Sequence, residues 1–178
     1  MDFYLQCDIP AEVPAFGGDH LLIFQCVEHD EACFPPGPGT VQLPSRFWEH
    51  PPPPNEGAFW RILLQREGVP MVDAAPLLHS RRLRLEMTPE EVNENGNGSH
   101  GFKVGGVPSW AQAPEHYRCP CGADLAFVCQ IPENHEFDLL PEREDDDYGE
   151  MLFLGNEIYI FACPEHCDPA AAWPVNQN

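Results

Sequence analysis

The sequence predicts a β-rich α+β fold: internally duplicated antiparallel strand-loop-strand units with few short helices. Three observations carry that expectation. The chain of 178 residues holds 21 Pro and 14 Gly, and a proline inside a helix costs about 3 kcal/mol, so strands joined by turns are favoured over a helical bundle. Two segments far apart in the chain repeat one another. Short apolar or alternating segments bounded by turn residues recur along its length. Hydrophobic residues make up 43% and charged residues 21%, the composition of a chain that buries a core. Its length suffices for one domain, or for two small, closely packed halves.

The repeat comes first, because it organises everything else. Cys7-Asp8-Ile9-Pro10 matches Cys129-Gln130-Ile131-Pro132, each after an apolar run. The stretch Gly18–His29 matches Gly155–His166, with six of twelve residues identical. The first pair of blocks lies 122 residues apart and the second 137, so the second copy carries an insertion of 15 residues. The insertion coincides with an acidic stretch, Glu133 to Glu150. The chain therefore divides into a first copy over 1–34, a connector over 35–99 with strands and one short helix, and a second copy over 100–178.

Individual elements follow in order. Ala58–Leu64 reads as a strand. Arg82-Leu83-Arg84-Leu85-Glu86-Met87 alternates with period two, as a half-buried strand does. Thr88-Pro89-Glu90-Glu91 places Thr at an N-cap, Pro at the first helical position and Glu two positions later, which predicts a short helix. Asn95-Gly96-Asn97-Gly98-Ser99 ends it after barely two turns. Proline runs at 35–39 and 51–54 bracket a connector expected to lie on the surface in extended polyproline form. Gly155-Asn156 is a two-residue loop of the kind that joins hairpin strands, here 151–154 and 157–161.

Charge and cysteine usage narrow the function. Lys+Arg number 9 and Asp+Glu 29, for a net charge of −20. Such a surface is repelled by phosphate backbones and anionic lipid, so neither nucleic acid nor membrane is an expected partner. The N-terminus has no basic region before an apolar one, and no apolar run approaches about 20 residues. The expected compartment is the cytoplasm, where thiols stay reduced. Eight cysteines are then buried apolar residues or metal ligands rather than disulfides.

Four of them have a ligand pattern. Cys119-Pro120-Cys121-Gly122 is a knuckle-like turn in which Gly122 allows backbone amides to approach the sulfurs. Cys163 and Cys167 sit where a strand ends, and pairing of that strand with 125–131 brings them beside the knuckle. Cys119, Cys121, Cys163 and Cys167 are thus the candidate ligands of a structural zinc, with His166 able to replace a cysteine. The first pair is one residue tighter than the usual spacing. Three other readings stand beside it: buried thiols without metal, a set drawing on Cys26, His29 or Cys33, and an ion with an open position that serves hydrolysis through Cys163 and His166. Cys26, at the position equivalent to Cys163, reads as packing.

At these residues the chain resembles a known family. Gly105-Gly106-Val107-Pro108-Ser109-Trp110-Ala111-Gln112, Cys119-Pro120-Cys121-Gly122, and Leu125–Ile131 look like the signature of the bacterial YwqG-like family. They are also similar to the eukaryotic programmed cell death protein 2 family. Tyr159–Cys163 fits the later strand, and the likeness spans roughly 103–173. The shortened cysteine pair departs from the family pattern. The resemblance implies a β-rich duplicated fold. It implies little about activity, since the YwqG-like family has no established one; members of the eukaryotic family act as chaperones for a ribosomal protein, and some bacterial relatives are regarded as immunity proteins of toxin systems.

The acidic stretch holds nine acids in eighteen residues. It reads as a solvated loop, as a docking surface for a basic protein, or less directly as a calcium site that lacks EF-hand spacing. The four tryptophans read as packing. No nucleophile elbow, phosphate loop or dinucleotide fingerprint is present. The expected function is a non-enzymatic interaction protein that binds a basic partner, toxin or client, through its acidic surface. A small-molecule binding module in a cleft between the copies is a further alternative.

Overall fold

A computed structural model describes residues 1–29, 31–37, 39, 41–68, 83–137 and 150–178. Eleven strands are formed among them: β1 (Asp2–Asp8), β2 (His20–Gln25), β3 (Val41–Gln42), β4 (Trp60–Gln65), β5 (Lys103–Val104), β6 (Tyr117–Arg118), β7 (Ala126–Ile131), β8 (Glu136–Phe137), β9 (Glu150–Met151), β10 (Glu157–Ala162) and β11 (Ala172–Gln177). One sheet has the order β1-β2-β4 and another β11-β10-β7-β5, with two short pairs, β3-β6 and β8-β9. Every pairing is antiparallel except β3 with β6. The β-rich class is thus as the composition and patterning imply. Helical turns among the described residues are confined to two short segments, Val27–His29 and Leu152–Gly155.

The two segments that match in sequence occupy corresponding places. In each, a first strand pairs antiparallel with a second (β1 with β2, β7 with β10). A third strand then lies on the far side of the second, β4 in one sheet and β11 in the other. Each first strand carries one extra residue. Tyr4 bulges opposite Ile23 and Phe24, and Val128 opposite Ile160 and Phe161. These are the same dipeptide of the matched stretch. The bulges fix a correspondence of Leu5 with Cys129, since Leu5 faces Ile23 and Cys129 faces Ile160. The Cys-x-Ile-Pro match, which equates Cys7 with Cys129, is therefore two residues out of step with the pairing. A two-residue step keeps every side chain on the same face, which is why sequence patterning alone does not detect it.

The sheets share one core. Trp60 of β4 and Trp173 of β11 are fully buried and meet edge to face, with ring centroids 5.8 Å apart. Phe47 and Tyr117 pack on Trp173 at 5.9 and 5.5 Å. The Leu64 amide donates to Pro169 O at 2.8 Å. Pro174 lies within β11, which is tolerated because that strand is at an edge and needs no second ladder. Gln25 of β2 is also buried, and its Oε1 accepts from the Phe153 amide of the other half at 3.0 Å. A polar side chain is thereby used to tie the two halves together.

Four expectations are corrected. Residues 151–154 do not form a hairpin with 157–161: Met151 pairs with Glu136 across β8-β9, and both edges of β10 are taken by β7 and β11. The chain turns instead at Phe153 and Leu154, whose φ angles of 49° and 59° are left-handed, with Leu152 and Phe153 buried. The connector between the proline runs is not a surface linker. Leu43, Phe47 and Trp48 are buried, and β3 pairs with β6. Residues 83–87 form no strand and are exposed; Arg82 and the rest of 69–82 lie outside the described residues.

The expected helix at Thr88 is also absent. Two turns of isolated helix are marginal in water, and the Glu90 carboxylate has better partners. It accepts from the Ser99 amide at 2.7 Å, from Lys103 Nζ at 3.1 Å and from the Val107 amide at 3.4 Å. Gly106, at a left-handed φ of 78°, lies against this carboxylate where a Cβ would collide with it. Asn93 Oδ1 turns the chain by accepting from the Asn95 and Asn97 amides.

Desolvation acts to raise the Glu90 pKa, but the bonds from Ser99, Lys103 and Val107 outweigh it and hold the carboxyl below its ordinary value. Its contribution is present above the ordinary glutamate range and is lost as pH falls through the depressed folded value. Glu90→Ala is expected to cost about 1–2 kcal/mol at neutral pH. The difference from the parent should shrink as denaturant melts are taken below pH 4.

Candidate metal centre

The β7–β10 pairing sets Phe161 opposite Phe127 and Ala162 opposite Ala126. The segment before β7 and the segment after β10 therefore end side by side. The first is the knuckle. The Cys119 amide donates to Ala123 O at 2.8 Å and the Gly122 amide to Cys119 O at 2.9 Å. Gly122 has a φ of 100°, which closes the turn so tightly that one residue suffices between the cysteines. The second is the loop after β10, closed by the His166 amide donating to Cys163 O at 3.0 Å, with His166 itself left-handed at φ 47°.

All four predicted sulfurs converge. Cys119 Sγ lies 3.3 Å from Cys167 Sγ and Cys121 Sγ 3.5 Å from Cys163 Sγ, and the four atoms lie within 4.8 Å of one another. Sulfurs bound tetrahedrally at the usual zinc–sulfur distance of about 2.3 Å sit about 3.8 Å apart, so the spacing suits a thiolate-binding metal ion. Cys119 and Cys163 are buried, Cys121 and Cys167 exposed, and all four are free thiols. The site lies at the rim of the core, with two buried donors directly after β6 and β10 and two facing out.

Burial pushes the Cys119 thiol well up, only partly opposed by the Cys121 amide, and burial pushes Cys167 up to about 11. Cys121 moves the other way, drawn down chiefly by the Ala123 amide. Several thiolates cannot share so small a space without compensating charge, and a divalent cation supplies it.

His166 does not join the cluster. Its Nε2 lies 2.5 Å from Asp19 Oδ2, its ring packs on Phe16 with centroids 5.8 Å apart, and Arg66 Nη2 approaches Nδ1 at 3.2 Å. Asp19 is buried just before β2. The contact holds the metal-site loop against the first sheet and stabilises the left-handed backbone at His166. Sequence reasoning missed Asp19 because 147 residues separate the pair.

The motif residues ahead of the knuckle are held by the same sheet. Tyr159 OH donates to Ser109 O at 2.6 Å and accepts from the Ala111 amide at 2.9 Å. Gln130 Oε1 accepts from the Ser109 amide at 2.9 Å. Trp110 stacks on Phe161 at 5.6 Å and 12°. These contacts hold the Ser109–Ala111 backbone against the sheet, and Ser109 Oγ lies 2.7 Å from His100 Nδ1.

The other four cysteines stand apart. Cys7, Cys33 and Cys129 are buried, and burial raises each of their pKa values. Cys26 is partly exposed, and its Sγ lies 3.2 Å from His29 Nδ1. Cys26, His29 and Cys33 join no ligand cluster among the described residues. Cys26 packs against the core edge, but it also forms a thiol–imidazole pair, in which hydrogen bonding lowers Cys26 and raises His29.

That pair gives a reactivity test. With the four-thiol cluster occupied by metal, iodoacetamide should alkylate Cys26 first of the eight thiols, because the thiolate is the nucleophile. Its reaction should set in below the ordinary thiol range. His29→Ala should move the onset up toward about pH 8.5, read by peptide mass mapping across pH.

Comparison of the chain with models of known protein families, with curated proteins and with solved structures gives no match.

Proposed function

We propose that this chain is a non-enzymatic interaction protein whose two β-sheets, copies of one ancestral unit, are secured by a structural zinc at Cys119, Cys121, Cys163 and Cys167. The observation that carries the reading is the convergence of four thiols from two loops. An all-thiol donor set fills a tetrahedral ion, and such closed sites hold structure. The engagement of His166 with Asp19 further favours a structural over a hydrolytic ion. Zinc is preferred among thiophilic metals because it needs no redox partner and accepts the tetrahedral arrangement. Reduced thiols at the site suit the cytoplasm. No helix among the described residues is long and apolar enough to cross a membrane.

The partner is read as a basic protein, a toxin or a client. Support comes from the net charge of −20, which steers a basic surface to this one and repels other polyanions. Most of the acidic insertion, 138–149, lies outside the described residues, so the assignment rests on overall charge and on the order of residues in the chain. Kinship with the YwqG-like and programmed cell death protein 2 families is part of the same proposal. The placement of Ser109, Trp110 and the knuckle around the β7–β10 pair suits it.

Two experiments test the two halves of the proposal separately. Elemental analysis of protein purified without chelator should find one zinc per chain, and Cys119→Ser/Cys121→Ser should abolish it. Structural zinc sites supply roughly 10–16 kcal/mol of apparent binding energy, so chelation should produce a large loss of thermal stability. A full chain free of metal, stable and unaffected by chelator overturns the metal assignment. For the partner, immobilised protein should retain basic proteins from a cell extract at low salt and release them as salt rises. Retention that ignores salt, or no basic species at all, overturns the charge-driven reading and leaves the zinc standing.

A further inference from the structure

Among the described residues seven large hydrophobic side chains are exposed, and three of them fall within five residues: Leu83, Leu85 and Met87, at 46, 39 and 76%. They alternate with Arg84 and Glu86. Alternation of this kind belongs to a strand with one apolar face, yet residues 83–92 form no strand and are exposed throughout. Arg84 Nε and Glu86 Oε1 lie 3.5 Å apart, so the two charges already share a side, as residues two apart on a strand do.

We infer that this segment pairs with itself: two copies of the chain associate through antiparallel strands at 83–87, related by a two-fold axis at Leu85. The residue order carries the inference. With Leu85 opposite its own copy, Leu83 faces Met87 of the second chain and Met87 faces Leu83. One face of the pair is then wholly apolar. On the other face Arg84 lies opposite Glu86 and Glu86 opposite Arg84, so each charge meets its complement twice. Cross-strand pairs of both kinds stabilise sheets, and the arrangement is isologous, as closed dimers require.

Competing registers are disfavoured by the same residues. A shift of two in either direction puts Arg84 against Arg84 or Glu86 against Glu86. A shift of one sets apolar side chains against charged ones. Parallel in-register pairing opposes like charges at both positions. Pro89 ends the pairing segment, since it has no amide to donate.

The test is sedimentation equilibrium on the full chain over a wide concentration range. The parent should show a monomer–dimer equilibrium. Arg84→Glu alone and Glu86→Arg alone should each weaken it by about tenfold or more, because each converts both attractive pairs into repulsive ones. The two single variants mixed in equal amounts should form a heterodimer, since one chain then presents two acids and the other two bases. The double exchange, Arg84→Glu with Glu86→Arg, should self-associate like the parent. Both positions needed for this are on the surface, so melting temperatures should stay near the parent's. A parent that is monomeric at every concentration overturns the proposal. So does a dimer indifferent to the single reversals, or a mixture that fails to associate.

Discussion

The antiparallel pairing of β7 with β10 is the constraint on which the rest of the molecule depends. It fixes where two loops end, and those loops carry all four converging sulfurs. It also places Gln130 and Tyr159 side by side, where they hold the Ser109–Ala111 backbone. Remove the register and the knuckle, the motif loop and the Trp110 stack lose their common support. The order of cause runs from apolar strand patterning to pairing, and from pairing to a ligand set. A metal ion bound there would reinforce a geometry that hydrogen bonds and burial already define.

Several features were legible in the residues, each for a local reason. The strands at 60–65 and 126–131 are short apolar runs between turn residues, a pattern that survives almost any tertiary context. The cysteine cluster was legible because ligand pairs are close in sequence and one inferred pairing joins them. The misreadings share a different cause. Thr88-Pro89-Glu90-Glu91 carries every local mark of a helix start, but Glu90 is engaged by Ser99, Lys103 and Val107. Gly155-Asn156 has the composition of a hairpin turn, but both edges of the following strand were already committed to distant segments. In both cases a local preference of about 1 kcal/mol was outweighed by tertiary partners the local sequence does not name.

The two sheets also divide labour. The sheet of β1, β2 and β4 contributes no sulfur to the cysteine cluster, yet it and its flanking residues meet the second half at several points. Trp60 reaches Trp173, Gln25 binds the Phe153 amide, and Asp19 binds His166 in the metal-site loop. The last contact matters most for the site. A left-handed non-glycine residue is costly, and His166 is held there by a buried carboxylate from the other sheet. The loop that carries Cys163 and Cys167 is thus shaped partly from outside its own half.

Comparison of Cys26 with Cys163 shows how little local sequence decides chemistry. Both follow the second strand of a matched pair, and both open a Cys-x-Glu-His turn. Both turns close the same way, with the histidine amide donating to the cysteine carbonyl at 3.2 Å in the first and 3.0 Å in the second. Beyond that the two part. Cys163 Sγ meets the sulfurs of the knuckle, and the ring of His166 goes to Asp19. The sulfur of Cys26 meets the ring of its own His29 at 3.2 Å. One turn becomes half of a four-thiol cluster and the other a thiol–imidazole pair. The difference lies in what neighbours each turn among the described residues: Cys163 lies beside the knuckle sulfurs, while Cys26 joins no such cluster.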